Sequence, residues 1–411
     1  MIIGDASTYK RIFLIVCDSM GFGAADDAAD YGDFGANTIG HIAEAVGGLQ
    51  IYNLDRLGAG HLCHIKGAGQ RTEPHGVCCL LKEQSNGKDT LTGHWEMMGI
   101  ITEHPFVTFT ETGFPDELIA ELEAQTGRVA IGNKSASGTA ILDELAFEEI
   151  ADANKMIVYT SADSVLQICG NENGPGGLEE LYRCCEIARD ITLSHPEWRV
   201  ARIIARPYIQ NDDGSFTRTA NRKDYSVAPP QGTVLNALNN AGFDVMAVGK
   251  INDIFSGSGI TEHVHSQSSV EGMQQTIRYA RRDDWTGLCF TNLSDFDVLW
   301  GHRRNPQGYA KEIEQFDVAL GRLMGNVGMD DLIIITADHG NDPTALGTDH
   351  TREDVPMICW SPRMQNDGIV LEPRNGFGTI GATIAKNFNV AMPQGCVGKP
   401  LDEVFYMQSN N

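Results

Sequence analysis

The 411-residue chain contains no run of 18 or more apolar residues, which argues against a membrane-spanning helix. Its opening residues, Met1 to Arg11, show no basic stretch followed by an apolar one. A secretory signal is therefore not expected, and a cytoplasmic location is. Lysine and arginine are scarce, 31 against 55 aspartates and glutamates, for a net charge of −24. A nucleic-acid partner is not expected either, because a phosphate backbone needs concentrated cationic side chains. A small phosphorylated ligand stays open, since it needs only a local positive site. The ten cysteines show no Cys-x-x-Cys spacing. They read as reduced and largely buried, not as a thiolate metal site. Internal repeats and low-complexity segments are lacking too, and a monomer is expected.

What is present is an ordinary globular composition, 42% apolar and 21% charged. The length suggests two domains, or one large domain with an insertion. Short apolar runs such as Arg11–Cys17, Asp244–Val248, Gly287–Leu293, Leu332–Ile335 and Val355–Trp360 alternate with helical patterns. That alternation predicts an α/β fold with a mostly parallel sheet and helices on both faces. From about 103 to 228 the character changes, between Pro105 and Pro229-Pro230. This segment reads as an inserted α+β domain, with residues 1–102 and 229–411 forming the core.

Several apolar strands end in hard metal ligands, at the strand ends where open α/β sheets bind their ligands. Leu332–Ile335 runs into Thr336-Ala337-Asp338-His339-Gly340, with His350 following in the next loop. Arg11–Cys17 ends in Asp18, and Gly287–Leu293 is followed by Asp297 and His302. Asp18 alone reads more readily as a turn or cap residue; the repetition is what points to a metal. Six oxygen and imidazole donors suit two ions of the Mn²⁺, Mg²⁺ or Zn²⁺ type, three protein ligands each. Two ions about 3.5–4 Å apart would clamp an in-line phosphoryl transfer. The run Gly87-Lys88-Asp89-Thr90 opens a helical pattern. Either it is an ordinary capped start, or Thr90 is a hydroxyl placed where an anion is stabilised. Between two ions that hydroxyl would lose its proton and become a nucleophile, and nearby backbone N–H groups would stabilise the phosphothreonine. Arg202, Arg206, Arg218, Arg222 and Lys223 crowd one short stretch; they form a solvated face or a phosphate site.

Asp18-Ser-Met-Gly-Phe-Gly, Gly87-Lys-Asp-Thr-Leu-Thr-Gly-His-Trp-Glu, Asp295-Phe-Asp297-Val-Leu-Trp-Gly-His302, Ala337-Asp-His-Gly-Asn-Asp and Thr348-Asp-His-Thr-Arg-Glu-Asp together resemble the phosphopentomutase family of the alkaline phosphatase superfamily. The resemblance runs in order along essentially the whole chain. It implies an alkaline-phosphatase-like core with an inserted cap, and interconversion of ribose (or 2-deoxyribose) 1-phosphate and 5-phosphate. It implies one Mn²⁺ held by Asp18, Asp338 and His339, and a second held by Asp297, His302 and His350. Thr90 would carry the phosphoryl group, Asp163 would contact the ribose, and Lys250 would lie near the transferred phosphate. Arg202 and Arg206 are the expected phosphate ligands of the cap. A bisphosphate primer such as glucose 1,6-bisphosphate is implied, with small sugar phosphates as the only partners. The related cofactor-independent phosphoglycerate mutases are longer and use serine, so Thr90 favours the pentomutase.

Overall fold

The strand Arg11–Cys17 is buried along its whole length, as a continuous run of apolar, β-branched residues requires. In the computed structural model, which describes residues 8–69, 73–161, 164–364 and 368–406, it lies in the middle of a nine-stranded sheet. The order is Glu262–Val264, Asp244–Val248, Gly287–Leu293, Arg11–Cys17, Asp331–Thr336, Val355–Trp360, Val77–Lys82 and Ile369–Val370, with Arg374–Asn375 also on Val77–Lys82. Pairing is parallel from the first of these through Asp331–Thr336. Val355–Trp360 runs antiparallel to both its neighbours. Register aligns the carboxyl ends: Cys17 stands opposite Leu293, and Val16 opposite Thr336. The residues that follow these three strands therefore leave the sheet at one edge.

Helices Ser269–Ala280 and Pro306–Met324 pack beside each other, the first also against Gly287–Leu293. Pro306 opens the longer one behind an Asn305 cap, where a missing N–H costs nothing. This sheet and its helices belong to one compact unit, Met1–Glu103 with Ala228–Asn411; His104–Val227 forms another. The second unit has its own six-stranded mixed sheet: Val129–Ser135, Lys155–Thr160, Val165–Asn171, Arg202–Gln210 and Phe216–Arg218, with Lys223–Ser226 also on Arg202–Gln210. Along Lys155–Thr160 the side chains alternate between two cores. Met156 and Val158 join Leu118, Leu166 and Leu181. Ile157 and Tyr159 join Ile141, Leu142 and Tyr208. That strand is buried on both faces, which is why its apolar run is unbroken.

The strand Arg202–Gln210 runs on through Pro207. Its Pro207 is tolerated, and Tyr208, Ile209 and Gln210 pair antiparallel with Phe216–Arg218. All ten cysteines are free, eight of them buried. No described helix is long and apolar enough to cross a membrane.

At the start of the central strand, Arg11 Nε and Nη2 donate to Asp331 Oδ1 and Oδ2 at 2.7 and 2.6 Å. Both residues are buried, so removing one partner strands the other. Arg11→Met should lower the unfolding free energy by about 3–5 kcal/mol, read from urea melts. Adding Asp331→Asn should recover part of the loss.

Candidate metal centre

The six sequence-predicted ligands come together at the carboxyl edge of the core sheet. Asp18 follows Arg11–Cys17 directly, and Asp338 and His339 stand just past Asp331–Thr336. Asp297 lies in a π-helical turn, Phe296–Gly301, which His302 closes. His350 comes from the loop before Val355–Trp360. The donor atoms of Asp18, Asp338 and His339 all lie within 4.8 Å of one another, as do those of Asp297, His339 and His350. His302 Nε2 is 3.1 Å from Asp297 Oδ2 and 3.2 Å from His350 Nε2. His339 thus stands geometrically between the two clusters. Thr90 Oγ1 lies 3.2 Å from its Nε2.

The electrostatics fit a cation. Asp18, Asp338 and His339 are at most 1% exposed. Burial pushes the Asp18 carboxyl well above its usual range, and the facing charges of Asp338 and Asp297 push it further. Burial opposes ionisation of Asp297 too, but His350 and His302 outweigh it and hold that carboxyl well below its usual range. Burial pushes the His339 imidazole down, toward the neutral form that ligates metals. Asp18 Oδ1 and Asp338 Oδ2 are buried with no hydrogen-bond partner. Oxygens left bare in this way, beside imidazoles and without sulfur, suit a hard or borderline divalent ion.

A scaffold of residues that the sequence patterns did not single out holds these candidate ligands. Asn292 Nδ2 donates to Asp18 Oδ2 at 3.0 Å, and Ser19 N to Asp338 Oδ1 at 2.9 Å. Asn341 Nδ2 donates to Asp297 Oδ1 at 2.7 Å. Arg304 donates to Asn341 Oδ1 and to the carbonyls of Gly301, Asp342, Gly347 and Asp349, bridging the His302 turn to the His350 loop. Ser19 and Arg304 adopt left-handed backbone, with φ of 69° and 51°. Strain of this kind collects where surrounding contacts over-determine the conformation. His94 is fully buried; its Nδ1 lies 2.9 Å from the Thr90 carbonyl and 3.2 Å from Asp338 Oδ2. Its position one turn after Thr90 was the available signal.

The expectation that free backbone N–H groups await an anion at Thr90 is corrected. Asp89 caps the helix Thr90–Met97, and its Oδ1 accepts from both Leu91 N and Thr92 N at 3.1 Å. An adjacent carboxylate already occupies those donors. Lys250 follows Asp244–Val248 and Gly249, close enough for its charge to favour ionised Asp18. Arg202 and Arg206 lie in the second unit on one face of Arg202–Gln210. Arg206 Nε donates to Gln167 Oε1 at 2.9 Å. Arg206, Arg218 and Arg222 line a cavity of 480 Å³ with Pro207, Phe216, Thr217 and Thr219. Asp163 lies outside the described residues.

Fold and site together are those of the metalloenzyme superfamily, whose family model matches residues 10–392. Phosphopentomutases are similar over nearly the full length. One from Clostridium perfringens is 58% identical, covering 96% of this chain and 98% of its own. One from Agathobacter rectalis is 59% identical, covering 96% and 99%. The chain belongs to the phosphopentomutase family. Among solved structures it is similar to a phosphoglycerate mutase of Leishmania mexicana, at 12% identity and a TM-score of 0.47, covering 97% of this chain and 98% of that one.

Two outcomes follow from this geometry. Chelation should lower the melting temperature by roughly 5 °C relative to protein with saturating divalent metal, read by scanning calorimetry. A Cβ at Gly93 would stand 2.1 Å from the Asp338 carbonyl oxygen. Gly93→Ala must therefore move the Thr90 helix off the ligand strand, and turnover should fall about 100-fold.

Proposed function

We propose that the chain interconverts ribose or 2-deoxyribose 1-phosphate and 5-phosphate by way of a phosphothreonine at Thr90 and a sugar 1,5-bisphosphate. The observation that carries this reading is the Thr90 hydroxyl, 3.2 Å from the imidazole that joins two Asp/His clusters. Asp18, Asp338 and His339 would hold one Mn²⁺, and Asp297, His302 and His350 the other. Such ions supply positive charge that eases deprotonation of a hydroxyl and offsets charge on phosphoryl oxygens.

The chain's own groups do the rest. Phospho-Thr90 presents phosphorus to the free hydroxyl of the sugar monophosphate. The sugar oxygen forms the new P–O bond and loses its proton. The bond to Thr90 Oγ1 breaks, and that oxygen keeps the electron pair and takes up a proton. The bisphosphate then turns end for end and returns its other phosphoryl group to Thr90. Lys250 serves the transferred group. Residues 103–228 are read as the family's cap, in which Arg202 and Arg206 supply charge for a substrate phosphate and Asp163 holds the ribose. The cavity lined by Arg206, Arg218 and Arg222 supports the phosphate assignment of Arg206. Because each cycle begins phosphorylated, a bisphosphate such as glucose 1,6-bisphosphate primes the enzyme.

Purified protein with Mn²⁺ and this primer should turn over ribose 5-phosphate and leave 3-phosphoglycerate untouched in coupled assays. Mn²⁺ should restore metal-free protein best; equal rescue by every divalent ion would remove the metal assignment. Thr90→Val should lose at least about 10³-fold in kcat and gain no phosphoryl group by intact mass. Full activity in that variant, or steady release of inorganic phosphate by the unaltered protein, would overturn the reading.

A further inference from the structure

Thr90 and the residues around it come from segments far apart in sequence, so the loop that carries Thr90 must be fixed against the ligand loops. That loop, residues 83–89, leaves the strand Val77–Lys82 and ends at the Asp89 cap. The side chain that grips it is Arg352, two residues after His350 and 2% exposed. Arg352 Nη1 donates to the carbonyl oxygens of Ser85 at 2.9 Å and Gly87 at 2.6 Å, and to Glu83 Oε2 at 2.5 Å. Nη2 donates to the Glu83 carbonyl at 3.1 Å and Asp27 Oδ2 at 2.9 Å, and Nε to Asp27 Oδ1 at 3.0 Å.

A second tie runs the other way. Lys88 Nζ, two residues before Thr90, lies 3.0 Å from Asp33 Oδ2 and 3.1 Å from Asp349 Oδ2. Asp33 Oδ2 also accepts from the Arg352 backbone N–H at 2.9 Å. Two cations thus stitch the Thr90 loop to the His350 loop, one from each side.

Resting on the functional reading above, we propose that Arg352, seconded by Lys88, is a positioning residue that sets the Thr90 hydroxyl against His339. A plain ion pair would need only Glu83. Three of the Arg352 bonds instead go to backbone carbonyls, at Glu83, Ser85 and Gly87, on the path that ends at Thr90. The guanidinium is a planar fork that can satisfy acceptors in several fixed directions; an ammonium is a point charge that cannot. Loss of the fork frees the loop while leaving the metal ligands and the substrate's binding groups in place. The nucleophile then loses its register, which costs rate and not affinity. Lys88 is committed to this tie through Asp33 and Asp349.

The test uses the full-length protein with Mn²⁺ and glucose 1,6-bisphosphate. Arg352→Lys keeps a charge for Glu83 and removes the fork. Its kcat for ribose 5-phosphate should fall about 10- to 100-fold, with KM within about twofold. Mn²⁺ affinity by titration calorimetry should stay close to that of the unaltered protein. The rate of Thr90 phosphorylation by the primer, followed by intact mass, should fall in step with kcat. Lys88→Met should show the same pattern at smaller size, and it decides the matter if Arg352→Lys does not fold. Wild-type kcat in the folded variants overturns the inference. So does a loss of kcat matched by a loss of Mn²⁺ affinity, the mark of a general structural prop. An unaltered protein inactive on ribose 5-phosphate overturns the functional reading instead.

Discussion

Three carboxylates, Asp18, Asp297 and Asp338, are buried at the end of the core sheet, where the charges of Asp297 and Asp338 both bear on Asp18. Burying like charges together is among the costliest things a fold does. Much of the neighbouring sequence answers that cost. Imidazoles stand against Asp297, side-chain amides donate to Asp18 and Asp297, and the Ser19 N–H donates to Asp338. Two oxygens stay bare. A fold that supplies this many partial charges and still leaves lone pairs open is prepared for a full positive charge.

The same demand explains the glycines nearby. Glu353 is buried beneath the ligand loops, accepting from Thr38 N, Thr38 Oγ1, Gly23 N and Thr351 Oγ1. Burial pushes its carboxyl up to about 7. A Cβ at Gly21 or Gly340 would run into this side chain. The glycine that follows Asp338-His339 is thus required by close approach to a carboxylate, while its backbone bridges to Thr351.

Most of the candidate ligands were legible in the sequence because Asp18, Asp297, Asp338 and His339 each follow a buried strand within a few residues, and an apolar run ending in Asp or His is a local pattern. The start of the Thr90 helix was legible for the same reason. What stayed hidden acts across the chain. Asn292 sits inside an apolar strand and meets Asp18, 274 residues away. Arg352 and Arg304 look like surface cations until the carbonyls they reach are known. The Asp89 cap was one of two alternatives, and only its geometry shows that it takes the donors an anion would have used. The helix Gly138–Ala151 and the strand Val165–Asn171 were not read at all. Both are packed in the second unit, and neither shows the one-sided apolar stripe or alternation that marks a surface element.

Arg11–Cys17 is central in the finished sheet and, among its described strands, the earliest in the sequence. Its two neighbours begin at Gly287 and Asp331. At about 5–20 residues per second, most of a minute can separate the appearance of this apolar strand from that of either partner. Both its hydrogen-bonding edges are open through that interval, and an unpaired edge is a template for the wrong neighbour. In a growing chain, then, the strand that precedes Asp18 needs shelter until its partners arrive, and the candidate metal cluster cannot assemble before the loop bearing His350 is made.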